Sequence, residues 1–332
     1  MTLPFVSVVT PVYNDEPYLE EAIKSVLSQT HQDLEYVICN NHSKDRSGEI
    51  AADYATKDRR VRVVSPPTLL PQAKNFNFAL QQASERAPYV KMLFSDDWLF
   101  PGCLQQMLAV AVQDPRIALV SSYRLIEKTP DCFGLPVPQS IFPGREVLRG
   151  QLLGTAFPFG TPSTVMWRAD VVRKRAPSFF PEDRQYFDID VIFRTIADEL
   201  FGFVHQVLSF TRYQEGAISD QVSNYNWWFL FMLMMLEQYG RDLLTPEEFQ
   251  ARYEAASADF YRGLGEVWIK DRVRRHKKQE FWDFQNKHLG SMGAQIDRKR
   301  LAKGVLDAAL YWAGHLGGTV SKVRTKARRV LG

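Results

Sequence analysis

At 332 residues the chain is long enough for two domains, or for one domain with a large appendage, and its 45% hydrophobic and 24% charged content is that of an ordinary globular protein. The net charge of +3 is uneven: residues 298–332 carry nine Lys/Arg against one acid, Asp307, for +8, leaving 32 basic and 37 acidic groups and −5 on the other 297 residues. A slightly acidic body argues against nucleic acid as a partner and reserves any electrostatic role for the tail.

In chain order, "FVSVVTPVY" (5–13) is β-branched and nearly all apolar, the pattern of a parallel strand buried on both faces. "EPYLEEAIKSVLSQT" follows, with Leu19, Ala22, Ile23, Val26 and Leu27 at three- and four-residue spacing, an amphipathic helix. "LEYVICN" (34–40) and "RVRVVS" (60–65) read as further strands, with a helix over "RSGEIAADYAT" (46–56) between them. "PQAKNFNFALQQAS" (71–84) is a helix started near Pro71. "YVKMLF" (89–94) is a fourth strand, which delivers the adjacent carboxylates Asp96 and Asp97. A helix over "PGCLQQMLAVAVQDP" and a strand over "IALVSSYRLIE" (117–127) come next, then a Pro/Gly-rich stretch to about residue 162. "YFDIDVIFRTIADE" (186–199) lies between "STVMWRADVVRK" (163–174) and "FGFVHQVLSFTRY" (201–213). Beyond residue 221, aromatic and charged residues recur at helical spacing. The longest apolar run there, "WWFLFMLMML" (227–236), has ten residues; it is too short to span a bilayer and suits a helix–helix core.

Strands alternating with helices at this pitch predict an α/β fold: a doubly wound, mostly parallel sheet with helices on both faces, followed by a C-terminal helical appendage. In such sheets ligands bind beyond the carboxyl ends of the strands, where Tyr13, Asn40, Asn41, Asp96 and Asp97 all fall. Adjacent carboxylates at that edge suit Mg²⁺ or Mn²⁺, which takes one or two protein carboxylates and leaves its remaining positions to water and phosphate. An isolated Asp-Asp pair serves equally well as a helix cap. Other chemistries find no support. Cys39, Cys103 and Cys132 make no CxxC pair, so a reducing, cytoplasmic setting is expected. The six histidines have no ligand spacing, and no glycine-rich phosphate loop occurs. "MTLPFVSVVTPVYN" has neither the basic region nor the cleavage site of a secretory signal.

Four segments, in order, resemble the N-terminal half of the inverting glycosyltransferases of family 2, on the GT-A fold: "VSVVTPVYN", "VICNNHSKDRS", "AKNFNFAL" and "LFSDDWLFPGCL". The resemblance implies a GT-A-like domain over 1–220, split into a nucleotide-sugar half (1–125) and an acceptor and catalytic half (126–220). Residues 221–332 would then be a helical region carrying the basic tail 298–332. It also implies roles for individual residues. Tyr13 would lie against uracil or another base, with Pro11 and Asn14 shaping the adjacent backbone. Asn40 and Asn41 stand where the family has two Asp residues, the second of which reads the base edge, and His42 replaces the Gly that follows. An Asn amide can still accept from a ring N–H and donate to a carbonyl. Lys74 replaces an Arg and loses its bidentate fork. Asp96 would bind the ribose, and Asp97 the Mg²⁺ or Mn²⁺ that bridges the diphosphate.

Inversion by direct displacement needs a carboxylate to take the acceptor's proton. "FDIDVIFRT" fits the family's Glu-Asp…Arg frame, with Asp188 on the Asp position, Arg194 on the Arg and Phe187 in place of the Glu. Asp188 is therefore the base candidate and Asp190 the fallback, although both could simply favour a helix N-terminus. In "TRYQEGAIS" (211–219), Arg212 matches an Arg that faces the diphosphate, and Gln214 stands in for a His.

The implied partners are a nucleotide-diphospho-sugar donor, with a UDP-sugar favoured, and a glycan or lipid-linked acceptor, as in surface polysaccharide synthesis. "VLDAALYWAGHLGGTV" (305–320), flanked by "RKRLAK" and "KVRTKARR", predicts peripheral contact with an anionic membrane at the cytoplasmic face, although Gly314, Gly317 and Gly318 weaken it as a helix and a plain solvated tail has the same composition. The departures at Asn41, Phe187 and Gln214 leave a non-catalytic nucleotide-binding scaffold as the alternative. A nucleotidyltransferase would need a glycine-rich basic loop that is absent.

Overall fold

The computed structural model describes residues 2–183, 186–213, 225–274 and 279–313. The chain divides into two compact units, Met1–Tyr213 and Gln214–Gly332.

The first unit is built on a mixed sheet of ten strands in the order β3-β2-β1-β4-β9-β6-β10-β5, with β7 beside β6 and β8 beside β10. The strands are β1 (Val6–Val12), β2 (Leu34–Asn40), β3 (Val61–Val64), β4 (Tyr89–Met92), β5 (Trp98–Leu99), β6 (Ile117–Ile126), β7 (Thr129–Asp131), β8 (Ile141–Pro143), β9 (Met166–Arg168) and β10 (Leu200–Thr211). The long pairings are parallel: β1 with β2 and β4, β2 with β3, and β10 with β6. The antiparallel pairings are short, and β9 supplies two of them by joining β4 to β6. The predicted elements of the first half therefore appear with end shifts of only a few residues. β1 is buried along its whole length, as its apolar run requires, because helices cover both faces.

Helix α1 (Glu16–Leu27) buries Leu19, Ala22, Ile23 and Val26 on one stripe, and α2 (Ser47–Lys57) packs beside it. Helices α3 (Gln72–Gln81), α4 (Cys103–Ala111), α5 (Gly144–Leu153), α6 (Ala169–Arg173) and α7 (Phe187–Ile196) complete the unit. Pro71 stands immediately before α3, where its fixed φ of −58° suits a helix entrance.

In the second unit, Trp227–Met235 is apolar all round and buried from Leu230 to Met235, as a core helix should be. It packs on the long helix Pro246–Arg274. Gln279–Ser291 and residues 298–313 are also helical. Gly304 lets the last helix lie directly on the backbone of Tyr261, leaving Leu306, Leu310 and Tyr311 exposed. Among the described residues no helix is long and apolar enough to cross a membrane. Gln214 and the tail beyond residue 313, including the three glycines noted above, lie outside the described residues.

Candidate functional site

The parallel strands β2, β1 and β4 end side by side, and their loops form the site. Tyr13, 42% exposed, and Asn14 follow β1, while Asn40 closes β2. These two loops are laced together through backbone donors. The Asn14 N–H donates to Ser43 Oγ (3.1 Å), and the Lys44 N–H donates to Asn14 Oδ1 (2.7 Å). Asn14 adopts a positive φ of 56°, which asparagine tolerates better than most side chains. Asp45 accepts from the N–H groups of Ser47 and Glu16, and so ties the start of α2 to the start of α1. Pro11 contributes its carbonyl, which accepts from Ser95 Oγ (3.4 Å).

The asparagine pair is more committed than its sequence position suggests. Asn40 Oδ1 accepts from the Ser43 N–H (3.0 Å), closing its own loop. Asn41 is buried and grips Leu70 twice: Nδ2 donates to the Leu70 carbonyl and Oδ1 accepts from the Leu70 N–H, each at 2.9 Å. Asn41 therefore pins the segment before α3 to the end of β2. For any base only the second N–H and the second lone pair of its amide remain. Lys74, at the start of α3, pairs loosely with Glu182 (3.6 Å), and both are well exposed.

Asp96 and Asp97 sit on the turn between β4 and β5. Asp97 is only 2% exposed. Its Oδ1 accepts the Arg212 N–H at the end of β10 (3.1 Å), but its buried Oδ2 has no hydrogen-bond partner. Burial, and then the charge of Asp96, push its carboxyl up to about 7, while the Ser163 hydroxyl and the Arg212 N–H work in the opposite direction. The cost of burying Asp97 beside a second carboxylate is thus real, and its neighbours offset it only in part. Among the described residues no third His, Cys, Asp or Glu joins them to complete a metal cage. An orphaned carboxylate oxygen beside a second carboxylate fits a hard divalent cation that takes its other ligands from phosphate and water. The cap alternative draws no support from Asp97, whose carboxylate is engaged by the end of a distant strand.

Arg212 brings more than its backbone. Its Nε donates to the Asp96 carbonyl (3.2 Å), its Nη2 pairs with Glu21 on α1 (2.6 Å), and the guanidinium lies 4.6 Å from the ring centroid of Tyr18. Beside it, Trp98 and Phe210 stack across β5 and β10 with centroids 3.6 Å apart.

Asp188 opens α7, where Oδ1 accepts the Ile189 N–H (3.0 Å). It is partly buried in a cleft with Gly160, Thr161, Pro162, Trp167 and Phe180, and burial raises its pKa against the pull of Arg124. The same Arg124, on β6, also favours the charged form of Asp97, so one guanidinium lies within electrostatic reach of both carboxylates. Phe187 packs on Phe76 (5.7 Å) and Phe180 (5.6 Å), seating α7 against α3. Asp190, two residues on, is fully buried and pairs with Arg194 Nε at 2.7 Å. Four neighbours of the candidate site escape a reading based on local pattern: Ser163, Lys91 and Arg124, and also Asp15, whose half-buried carboxylate receives the Ser95 hydroxyl. For Arg124 and Lys91, a lone charge inside a strand was the only available signal.

A mostly parallel α/β sheet with paired carboxylates at its carboxyl edge is the architecture expected of a GT-A transferase, and comparison with known proteins identifies the family. The family model for Glycosyl transferase family 2 matches residues 7–175, just over half of the chain. An uncharacterized glycosyltransferase of Haemophilus influenzae is 26% identical over 220 residues, 66% of this chain and 84% of that protein. The uncharacterized glycosyltransferase EpsJ of Bacillus subtilis is 37% identical over 113 residues, 34% of this chain, which spans only about a third of EpsJ's length (32%). In structure, residues 1–349 of TarS from S. aureus with UDP superpose with a TM-score of 0.54 at 17% identity, over 86% of this chain and 79% of that one. The mannosyltransferase PcManGT of Pyrobaculum calidifontis, in complex with GDP-Man and Mn²⁺, gives 0.53 at 17% identity, over 93% and 81%. The chain belongs to glycosyltransferase family 2 and has the GT-A fold; it is a glycosyltransferase.

Proposed function

We propose that this glycosyltransferase moves a sugar with inversion from a nucleotide-diphospho-sugar, UDP-linked by preference, to a hydroxyl of a glycan or lipid-linked acceptor, using Mg²⁺ or Mn²⁺. The observation that carries this reading is the buried, unpartnered Oδ2 of Asp97 beside Asp96, at the sheet edge shared with Tyr13 and Asn41. TarS bound to UDP and PcManGT bound to GDP-Man and Mn²⁺ support a nucleotide donor for this fold. Donor binding falls to residues 1–125 and acceptor chemistry to 126–220. Tyr13 offers its exposed ring to the base, with Pro11, Asn14, Asn40 and Asn41 shaping the loops around it. Asp97 and Asp96 hold the cation, which when bound neutralises the departing diphosphate. Arg212, already seated on the Asp96 backbone, and Lys74 supply nearby positive charge. Asp188 takes the acceptor proton: its carboxyl, raised by burial against the Ile189 N–H and the charge of Arg124, is a better base than an exposed one. The partnership of Asp190 with Arg194 makes it the poorer base.

Incubation with a panel of UDP-, GDP- and dTDP-sugars and Mn²⁺ tests the proposal. Metal-dependent hydrolysis or transfer with one nucleotide class is expected, and the Asp97→Ala variant should lose it. No turnover with any donor, together with nucleotide binding that ignores the Asp97→Ala change, would defeat it.

We also place contact with an anionic membrane in residues 298–332, at the cytoplasmic face. The helix over 298–313 supports this, since it presents Leu306, Leu310 and Tyr311 to solvent and carries Arg298, Lys299 and Lys303 in its exposed opening turns. Leu306→Asp with Leu310→Asp should abolish co-sedimentation with phosphatidylglycerol vesicles; unchanged co-sedimentation would remove the membrane from the proposal.

A further inference from the structure

Lys91 is the least expected side chain in the sheet. It lies in the middle of β4 and is 0% exposed, although burying an ammonium is costly unless it is well partnered. Its partners are two backbone carbonyls: Nζ donates to Ser163 O and to Val165 O (3.2 Å). Both belong to the turn that leads into β9. That turn is tight, with the Thr164 N–H donating to the Thr161 carbonyl (2.8 Å) and the Thr161 N–H donating to Thr164 Oγ1 (3.3 Å). At its start Gly160 takes a φ of +64° and packs against Thr164 and Cys132, where a larger residue would have no room.

The turn faces both halves of the proposed chemistry. On one side Ser163 Oγ accepts the Phe94 N–H (2.9 Å), and the Phe94 carbonyl in turn accepts the Asp97 N–H (3.2 Å), so Ser163 anchors the turn that carries Asp97. On the other side Gly160, Thr161 and Pro162 line the cleft that holds Asp188. The cation-binding candidate and the base candidate, which come from β4 and α7, thus share one wall. Lys91 bolts that wall to the strand that delivers Asp97, alongside the β4–β9 ladder and the Ser163–Phe94 bond.

We infer that Lys91 and Ser163 are positioning residues: the buried ammonium of Lys91 fixes the 160–165 turn, so that Ser163, through the Phe94 N–H, holds the Phe94–Asp97 turn and presents Asp97 to a divalent cation while the same 160–165 turn sets its spacing from Asp188. The inference rests on the cation reading of Asp97 given above. Outer-shell partners of this kind typically matter by about 10–100-fold in metal affinity or activity.

The test uses the full chain, with Mn²⁺ and UDP as probes in calorimetric titration. Ser163→Ala should weaken Mn²⁺ binding in the presence of UDP by about 10–100-fold while leaving metal-free UDP binding unchanged. Lys91→Met should do the same and also lower kcat at saturating Mn²⁺, because the Asp188 wall moves with the turn. If Lys91→Met fails to fold, Ser163→Ala carries the test alone, since it removes a single oxygen. A folded Ser163→Ala variant with wild-type Mn²⁺ affinity overturns the inference, as does a folded Lys91→Met variant that loses thermal stability but keeps its Mn²⁺ affinity. If the wild type itself binds UDP without any Mn²⁺ dependence, the metal reading fails first, so the two failures are distinguishable.

Discussion

The Arg212 N–H and the Asp97 carboxylate, 115 residues apart, meet at 3.1 Å, so the end of β10 occupies one carboxylate oxygen and leaves the other without a partner. Replacing Asp97 with Asn keeps an oxygen for Arg212 but removes the charge that would hold a cation. Asp97→Asn should therefore fold at least as well as wild type, because a buried, poorly compensated charge is gone. Its kcat/KM should fall by about 10²–10³-fold, the equivalent of the several kcal/mol a metal ion supplies to a developing anion. Donor turnover measured against Mn²⁺ concentration checks this, with a melting curve to show that the fold is intact.

Asp188 and Asp190 share one turn of α7 but should fail in different ways. Asp188→Asn should lower kcat by about 10²–10⁴-fold, the usual worth of a positioned base, with little change in the donor KM. Asp190→Ala instead strands Arg194 beside a buried void. The loss should be one of stability, near the lower end of the ~3–5 kcal/mol typical of a broken buried pair, because Arg194 is itself half-exposed and can rehydrate. Steady-state kinetics and urea unfolding of both variants separate the two effects.

Asn41 holds the N–H and the carbonyl of Leu70, so its truncation should show first in the loop. Asn41→Ala leaves two backbone groups without their partner, at about 1–3 kcal/mol for each that stays dry. The donor KM should rise as the segment before α3 loosens, with kcat less affected. Asn41→Asp keeps the bond from the Leu70 N–H but sets a carboxylate oxygen against the Leu70 carbonyl, so it should recover only part of the stability. Unfolding midpoints of the three proteins, read together with donor KM values, check the order.

The first half of the sheet was legible because each strand there is an apolar run closed by a polar loop and each crossover helix has a plain stripe. Asp96 and Asp97 stood out for the same local reason: two like charges in a row just after a largely apolar strand. Contacts between distant segments were hidden. Ser163 looks like any turn serine until the structure brings it beneath a strand end 69 residues earlier. The asparagines at 40 and 41 read as base contacts by position, but the bonds they make are set by where residues 43 and 70 come to lie. Phe187 looked like a lost acid, and only the packing of Phe76 and Phe180 gives it a purpose of its own. The antiparallel insertion of β9 was also out of reach, since a strand of three residues carries almost no periodicity.

Lys91 offers a pH-dependent signature that separates its charge from its shape. Burial pushes its ammonium down to about 8, with Cys103 on α4 and the Asp97 carboxylate working the other way. An unfolded lysine titrates near 10.4. Below pH 8 both states are protonated, and folding bears the whole cost of burying the charge. Between about 8 and 10.4 the unfolded chain binds more protons than the native one, so stability from this group rises with pH through that window; above it both states are neutral and the cost is gone. The gain is on the order of 3 kcal/mol. The tyrosines also titrate at alkaline pH, but alike in wild type and Lys91→Met; Cys103, which interacts electrostatically with Lys91, is replaced by Ala in both so that its titration drops out. The difference in unfolding free energy between the two proteins therefore isolates the lysine. Wild type should gain on the variant from pH 8 to pH 10.4. A difference that stays flat across the whole range would mean that the Lys91 ammonium is not buried as an uncompensated charge.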